Sequence, residues 1–149
     1  MCLIVDVNIA PKVLLPINDA DFKHVQERLF AMHGLTATLV YGGHLKVEYE
    51  RIQSIWPFLR RLDQMGRVRI VDSSLVEAEQ EQVLALGLCC SDDPHIIALA
   101  RVSNVRLLCS EDGDLAADFT NKDLIDEPRG KVYKKAAHRH LIAEFCQSQ

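Results

Sequence analysis

The chain has no Cys-x-x-Cys pair, no apolar run near the length of a bilayer, and no internal repeat, low-complexity tract or interdomain linker. Each of these gaps excludes a class of protein. The five cysteines, at positions 2, 89, 90, 109 and 146, are odd in number, which argues against a disulfide framework, and their spacing argues against a zinc ligand set. Most are expected to pack as small hydrophobes. With no spanning segment, and with Met1 opening directly onto a strand rather than a basic leader, the expectation is a cytoplasmic protein with no membrane partner. An excess of positive charge is also missing. The net charge of −4 speaks against coating nucleic acid by bulk attraction, although a local basic stripe can still recognise it.

What is present is the composition of a globule. At 149 residues, 48% hydrophobic and 26% charged, the chain is expected to form one domain over residues 1–149 with a core of its own. Cys2 to Val5 reads as a buried parallel strand, because such strands are covered on both faces and lose polar alternation. Thr36 to Tyr41, Arg67 to Val71, Arg106 to Cys109 and Lys131 to Tyr133 read as four more strands. Between them lie helical patterns. Asn18 and Asp19 are N-cap types before Phe22, Val25, Leu29 and Met32, with Gly34 expected as the C-terminal cap. Leu45, Tyr49, Ile52, Ile55, Trp56 and Leu59 define one long apolar face, which Pro57 is expected to kink or break near Gln53 to Pro57. Ser74 with Glu77 reads as a capping box for a helix from about Leu75 to Leu86, stopped by Gly87. Pro94 fits the first turn of a buried helix, and Ala137, Leu141, Ile142 and Phe145 mark a closing one. The alternation predicts an α/β three-layer sandwich with a mostly parallel sheet of four to five strands.

Acids recur where the strands should end. In open parallel sheets the carboxyl ends of the strands line the ligand crevice, which singles out Asp6 after the first strand and Asp112 after the fourth, with Asp114 beside it. Glu48 falls inside the apolar stripe of its helix, whereas Glu50 falls outside it, and a carboxylate aimed at a core needs a cation, a donor set or a cleft. Asp93 precedes a helix, where simple capping is a sufficient reason for an acid, and Asp92 is its alternative. If Asp6, Glu48, Asp93 and Asp112 meet, they cannot all ionise without a counter-charge. An all-oxygen set with no paired His or Cys suits Mg²⁺ or Mn²⁺, and such a site supports phosphodiester cleavage. Asn8 and Ser110 are placed to orient the acids by hydrogen bonds. Arg129, Lys131, Lys134 and Lys135 belong to a stretch without acids, read either as a solvated basic helix end or as a phosphate-contacting surface.

Taken together, four stretches resemble a known family. Ile-Val-Asp-Val-Asn at 4–8, Val-Glu-Tyr at 47–49, Asp-Asp-Pro-His-Ile-Ile-Ala-Leu-Ala at 92–100 and Ser-Glu-Asp-Gly-Asp-Leu at 110–115 are similar, in order and spacing, to the four acidic motifs of PIN-domain ribonucleases. The resemblance covers almost the whole chain. It implies a PIN-like fold and a metal-dependent endoribonuclease in which Asp6, Glu48, Asp93 and Asp112 are catalytic and hold Mg²⁺ or Mn²⁺. Asp114 and Asp92 would be auxiliary, and Ser110 stands where the family has Thr or Ser. Many small members act as toxins neutralised by an antitoxin encoded beside them, so the resemblance also implies RNA as substrate, an antitoxin protein as partner and a homodimer. The segment Gly130-Lys131-Val132-Tyr133 is similar instead to stand-alone or defence-associated members.

Three rival readings compete with this one. A receiver-like domain would carry its phosphorylated acid at Asp72, at the end of the third strand, but then Asp6 lacks its neighbouring acid and Glu48 has no role. A phosphatase using Asp6 as nucleophile would have a second acid two residues on, where this chain has Asn8. A catalytically inactive PIN-like module that binds RNA or protein is the main alternative. Among the histidines, His44, His138 and His140 read as surface or core residues, and His95 as a candidate phosphate contact.

Overall fold

The computed structural model describes residues 1–142. Strand β1 (Cys2–Val5) lies in the middle of a five-stranded, wholly parallel sheet, flanked by β2 (Thr38–Gly42) and β4 (Leu107–Cys109), with β3 (Val68–Val71) and β5 (Lys131–Tyr133) at the edges. Cys2 pairs with Thr38 on one side and Val5 with Cys109 on the other, so both neighbours reach the same level as β1 at its carboxyl end. Leu3, Ile4 and Val5 are fully buried, as expected for a parallel strand covered on both faces. The resulting architecture is the α/β sandwich that the alternation of elements predicts.

Parallel strands need crossovers, and the helices supply them. They are α1 (Ala10–Leu14) and α2 (Lys23–Phe30), α3 (Gly43–Glu50) and α4 (Trp56–Gln64), α5 (Ser73–Leu86) and α6 (Pro94–Ser103), and α7 (Gly113–Phe119). Helices α3, α5 and α6 pack against one another, while α1 packs on α2 and, through a 3-10 turn at Gln53–Ile55, is linked to α4. The turn from β2 into α3 is made by two glycines. A Cβ on Gly42 would lie 2.5 Å from the Val71 carbonyl oxygen, and Gly43 has φ +58° with Val76 where its Cβ would be.

Several local expectations are corrected. The helix break expected near Gln53 to Pro57 is present as the 3-10 turn at Gln53–Ile55, but Pro57 is not its cause: the chain leaves α3 at Arg51, and Pro57 sits in the first turn of α4, where its missing donor is harmless. Trp56, read as part of one continuous apolar face, is consequently half exposed. Helix α2 ends at Phe30, so Met32 is exposed and Gly34 caps nothing. Helix α5 is capped by Asp72, whose carboxylate accepts from the Ser74 N–H at 2.9 Å and from its hydroxyl at 2.8 Å; the Ser74–Glu77 box does not form. Asp72, also considered as a phosphoacceptor, is thus a cap. Asp19 does serve as a cap, accepting from the Asp21 and Phe22 N–H groups. Strand β2 starts two residues later than expected. Cys109 is buried, but Cys90 is exposed rather than packed. The closing helix begins after a 3-10 turn at Ala136–His138 and includes Leu141 and Ile142, both buried; Phe145 and Cys146 lie outside the described residues.

Candidate functional site

Asp6 leaves the end of β1 with its backbone N–H donating to the Cys109 carbonyl at 2.9 Å, the last rung between β1 and β4. Its side chain is only 3% exposed. The Ser110 hydroxyl donates to Asp6 Oδ2 at 2.9 Å, and the same hydroxyl oxygen accepts from the Asp112 N–H at 3.0 Å. One fully buried serine therefore ties the acid after β1 to the acid after β4. Burial pushes the Asp6 carboxyl above its ordinary value, and Asp93 and Glu48 add to the shift by repulsion, while the Ser110 hydroxyl and the Asn8 backbone oppose it.

Helix α3 brings in Glu48. Beside it, the Tyr49 hydroxyl donates to the Val5 carbonyl, which fixes α3 to the end of the central strand. Glu48 Oε1 lies 2.8 Å from His95 Nε2, at the start of α6, and His95 Nε2 is 4.0 Å from Asp93 Oδ1. Burial pushes the His95 imidazole below its ordinary value despite the pull of Glu48 and Asp93. The Glu48 carboxylate accepts from Nε2, so His95 is buried and engaged, which corrects its reading as a phosphate contact. The edge of His44 meets His95 with ring centroids 4.9 Å apart.

Asp93 occupies the N-cap position of α6, yet its side chain makes no capping hydrogen bond, so capping does not account for it. Burial raises its carboxyl affinity for protons; His95 opposes this, and Glu48, Asp112 and Asp92 reinforce it. Asp92 is exposed. Asp112, in contrast, caps α7, accepting from Asp114 N–H at 2.9 Å and Leu115 N–H at 3.2 Å through one oxygen. Asp114 is exposed in the first turn of that helix. Asn8 is exposed and its side chain makes no hydrogen bond among the described residues.

Sequence reasoning missed the residue that holds the Asp93 loop. Asp118, 1% exposed on α7, accepts from Cys90 N–H at 3.0 Å, Cys90 Sγ at 3.0 Å and Ser91 N–H at 2.9 Å. Burial alone would raise its carboxyl; the bonds from Cys90 and Ser91 outweigh burial and hold it below the ordinary value. The signal was available, since Asp118 falls among the buried residues Leu115, Ala116 and Phe119 as Glu48 falls among Leu45 and Tyr49. A salt bridge at 2.6 Å from Lys12 to Glu111 closes over the loop that carries Asp112.

The basic residues divide. Lys131 pairs with Leu107 at the start of β5, and Arg129 precedes it, donating to the Thr120 carbonyl at 2.8 Å; both stand at the amino end of the sheet, away from the acids. Lys134 and Lys135 follow Tyr133, whose carbonyl accepts from Ser110 N–H at 3.1 Å, and so stand at the carboxyl end.

The four acids thus share one edge as two linked pairs, Asp6 with Asp112 through Ser110 and Glu48 with Asp93 through His95. Among the described residues no three His, Cys, Asp or Glu side chains stand close enough to clasp a metal ion as they lie. The donor chemistry still fits a hard divalent cation. All four are oxygen donors, burial raises Asp6 and Asp93 and repulsion from neighbouring acids adds to it, and Mg²⁺ commonly binds through one or two carboxylates while keeping several waters. 

No family model matches the chain. No curated protein matches it either. Among solved structures it is similar to the crystal structure of VapBC2 from Rickettsia felis bound to a DNA fragment from their promoter, with 14% identity and a TM-score of 0.48 over 90% of this chain and 100% of that one. At that identity and score the likeness assigns no residue and no activity.

Proposed function

We propose that the chain is a metal-dependent endoribonuclease whose site is the acidic edge. The observation that supports it is Asp6: a carboxylate buried at the end of the central strand, shifted toward protonation and facing further acids, which a divalent cation would relieve. Asp6, Glu48, Asp93 and Asp112 would hold Mg²⁺ or Mn²⁺. Such a cation supplies positive charge against the developing phosphate charge and acidifies water at neutral pH. The Ser110 hydroxyl keeps Asp6 aimed, His95 keeps Glu48 aimed, and Asp118 holds the loop that presents Asp93. Lys134 and Lys135, at the same end of the sheet, would receive the substrate's phosphates. A role as the toxin of a toxin–antitoxin pair, with an antitoxin protein and a second copy as partners, belongs to the proposal on sequence resemblance alone.

The inactive binding module is the second reading, favoured by the absence of a ready-made trio of ligands among the described residues. One assay separates the two. Labelled RNA and single-stranded DNA are incubated with the protein in Mg²⁺, in Mn²⁺ and in chelator, beside Asp6→Asn and Glu50→Gln, the latter on the exposed side of α3. Expected is RNA cleavage that needs metal, falls at least about 100-fold in Asp6→Asn and persists in Glu50→Gln. No cleavage, or equal cleavage by Asp6→Asn, overturns the nuclease reading.

A further inference from the structure

On the far side of α2 from its core face, an open cavity of about 590 Å³ lies between that helix and residues 139–142. Arg28, Arg139, His24, His33 and His140 line it, against one carboxylate, Glu27. Neither arginine has a carboxylate partner among the described residues. Arg139 makes no hydrogen bond or ion pair among the described residues, and Arg28 makes only a long one, 3.5 Å to the Leu35 carbonyl. Glu27 lies 3.8 Å from His24 and is itself mostly exposed, so it does not neutralise the guanidinium groups. Leu35 and Ile142 add apolar wall between the cations. Two forked guanidinium groups with no carboxylate partner among the described residues, beside a space of this size, suit the phosphate of a nucleotide with its sugar and base against the wall.

The cavity is not isolated from the acids. The Tyr133 hydroxyl donates to the Asp21 carbonyl at 2.5 Å, and Ala136 N–H donates to the Asp21 carboxylate at 3.2 Å, so the segment after β5 runs from the acidic edge onto the start of α2. That segment carries Lys134, Lys135, His138, Arg139 and His140, and the charges of Lys135, His140 and Lys134 help depress the His138 imidazole after burial has done so. Lys134, Lys135 and Arg139 therefore lie along the segment between Tyr133, whose carbonyl accepts from Ser110 N–H, and the cavity, with the Asp21 carboxylate beside them.

We infer that this cavity is a second phosphate-binding site, which anchors a nucleotide of the same single-stranded RNA whose scissile bond lies at the acidic edge. The inference rests on the nuclease reading for its ligand, but its test does not need cleavage. Binding of an unstructured, labelled RNA oligonucleotide is measured with Asp6→Asn protein in chelator over a range of salt, against the same protein carrying Arg28→Ala with Arg139→Ala. A control pair, Arg60→Ala with Lys122→Ala, removes the same charge from exposed positions outside the cavity. Thermal melting checks that each variant is folded. In parallel, uridine monophosphate is titrated while the histidine ring signals are followed by NMR. Expected is at least a tenfold loss of RNA affinity in the cavity pair, with the slope of log K against log salt reduced by about 1.4 for two single-strand contacts, and little change in the control pair. Equal losses in both pairs overturn the inference, because the effect is then bulk charge. Shifts with uridine monophosphate but unchanged RNA affinity in the cavity pair overturn it as well, leaving a site for free nucleotides. Failure of cleavage in the earlier assay, with the expected binding here, removes the nuclease reading and leaves the anchor standing.

Discussion

Asp6 and Arg28 are both ionic groups set among like charges, yet the molecule treats them in opposite ways. Asp6 is 3% exposed, fixed by Ser110 and placed at the end of the central strand, and the loop facing it is fixed in turn by Asp118. Arg28 and Arg139 stand at an open cavity with no carboxylate partner among the described residues, on the outer side of a short helix and on the segment that follows β5. Rigid placement is what chemistry at a phosphate needs, since a small misplacement of a catalytic group costs much of the rate. Gripping a flexible chain needs less. Long cationic side chains that adapt to successive phosphates suffice, and their contribution is lost to salt rather than to geometry.

The sharpest way to break this contrast is through Asp118. Asp118→Ala leaves the Cys90 and Ser91 donors without their acceptor and is expected to cost about 2 kcal/mol in urea unfolding, along with loss of cleavage. Arg28→Ala with Arg139→Ala should stay within about 0.5 kcal/mol of the parent. Similar losses for both would show that the cationic cavity is as much a part of the framework as the acidic edge.

Metal gives a smaller effect. At about ten times its dissociation constant, Mg²⁺ should raise the unfolding free energy of the wild type by about 1.4 kcal/mol and that of Asp6→Asn by much less. An equal rise in both would place the cation elsewhere.

The smallest effect is a pH dependence whose sign follows from the burial of Asp6. Its carboxyl is raised above the ordinary value of 3.8, so the folded state favours the protonated form. That advantage is full below the ordinary value and is lost as pH rises through the raised one. Asp6→Asn, which cannot ionise, should therefore melt a few degrees above the wild type at neutral pH in the absence of metal, and the difference should close in acid. A difference that does not change with pH would mean that Asp6 carries no such strain.

The parts of this structure legible in the sequence are those decided locally. The apolar run of β1, the short β5, Pro94 opening α6 and Gly87 closing α5 in the left-handed region all follow from neighbouring residues. The misreadings arise where a distant partner decides. Met32 continues the periodicity of α2 but has nothing to pack on once the chain turns at Ala31 to bring Ala37 N–H to the Arg28 carbonyl. Trp56 fits the wheel of a helix that in fact stops at Glu50. At the site, the recurrence of acids at strand ends and inside apolar stripes is local, which is why Asp6, Glu48, Asp93 and Asp112 stand out in the sequence. The Glu48–His95 pair and the Asp118 clasp join residues far apart in sequence, and the cavity joins His24 to His140; no window along the chain contains them.

The strand order has a consequence in time as well as in space. Because β1 lies between β2 and β4, Asp6 receives the Cys109 carbonyl and the Ser110 hydroxyl only from a strand about a hundred residues downstream. During synthesis the first acid to be made must wait for nearly the last strand, and contacts of such separation form slowly. A growing chain that has not yet delivered β4 therefore carries Asp6 without the Ser110 hydroxyl that fixes it, so this edge cannot take its final form before β4 has been made.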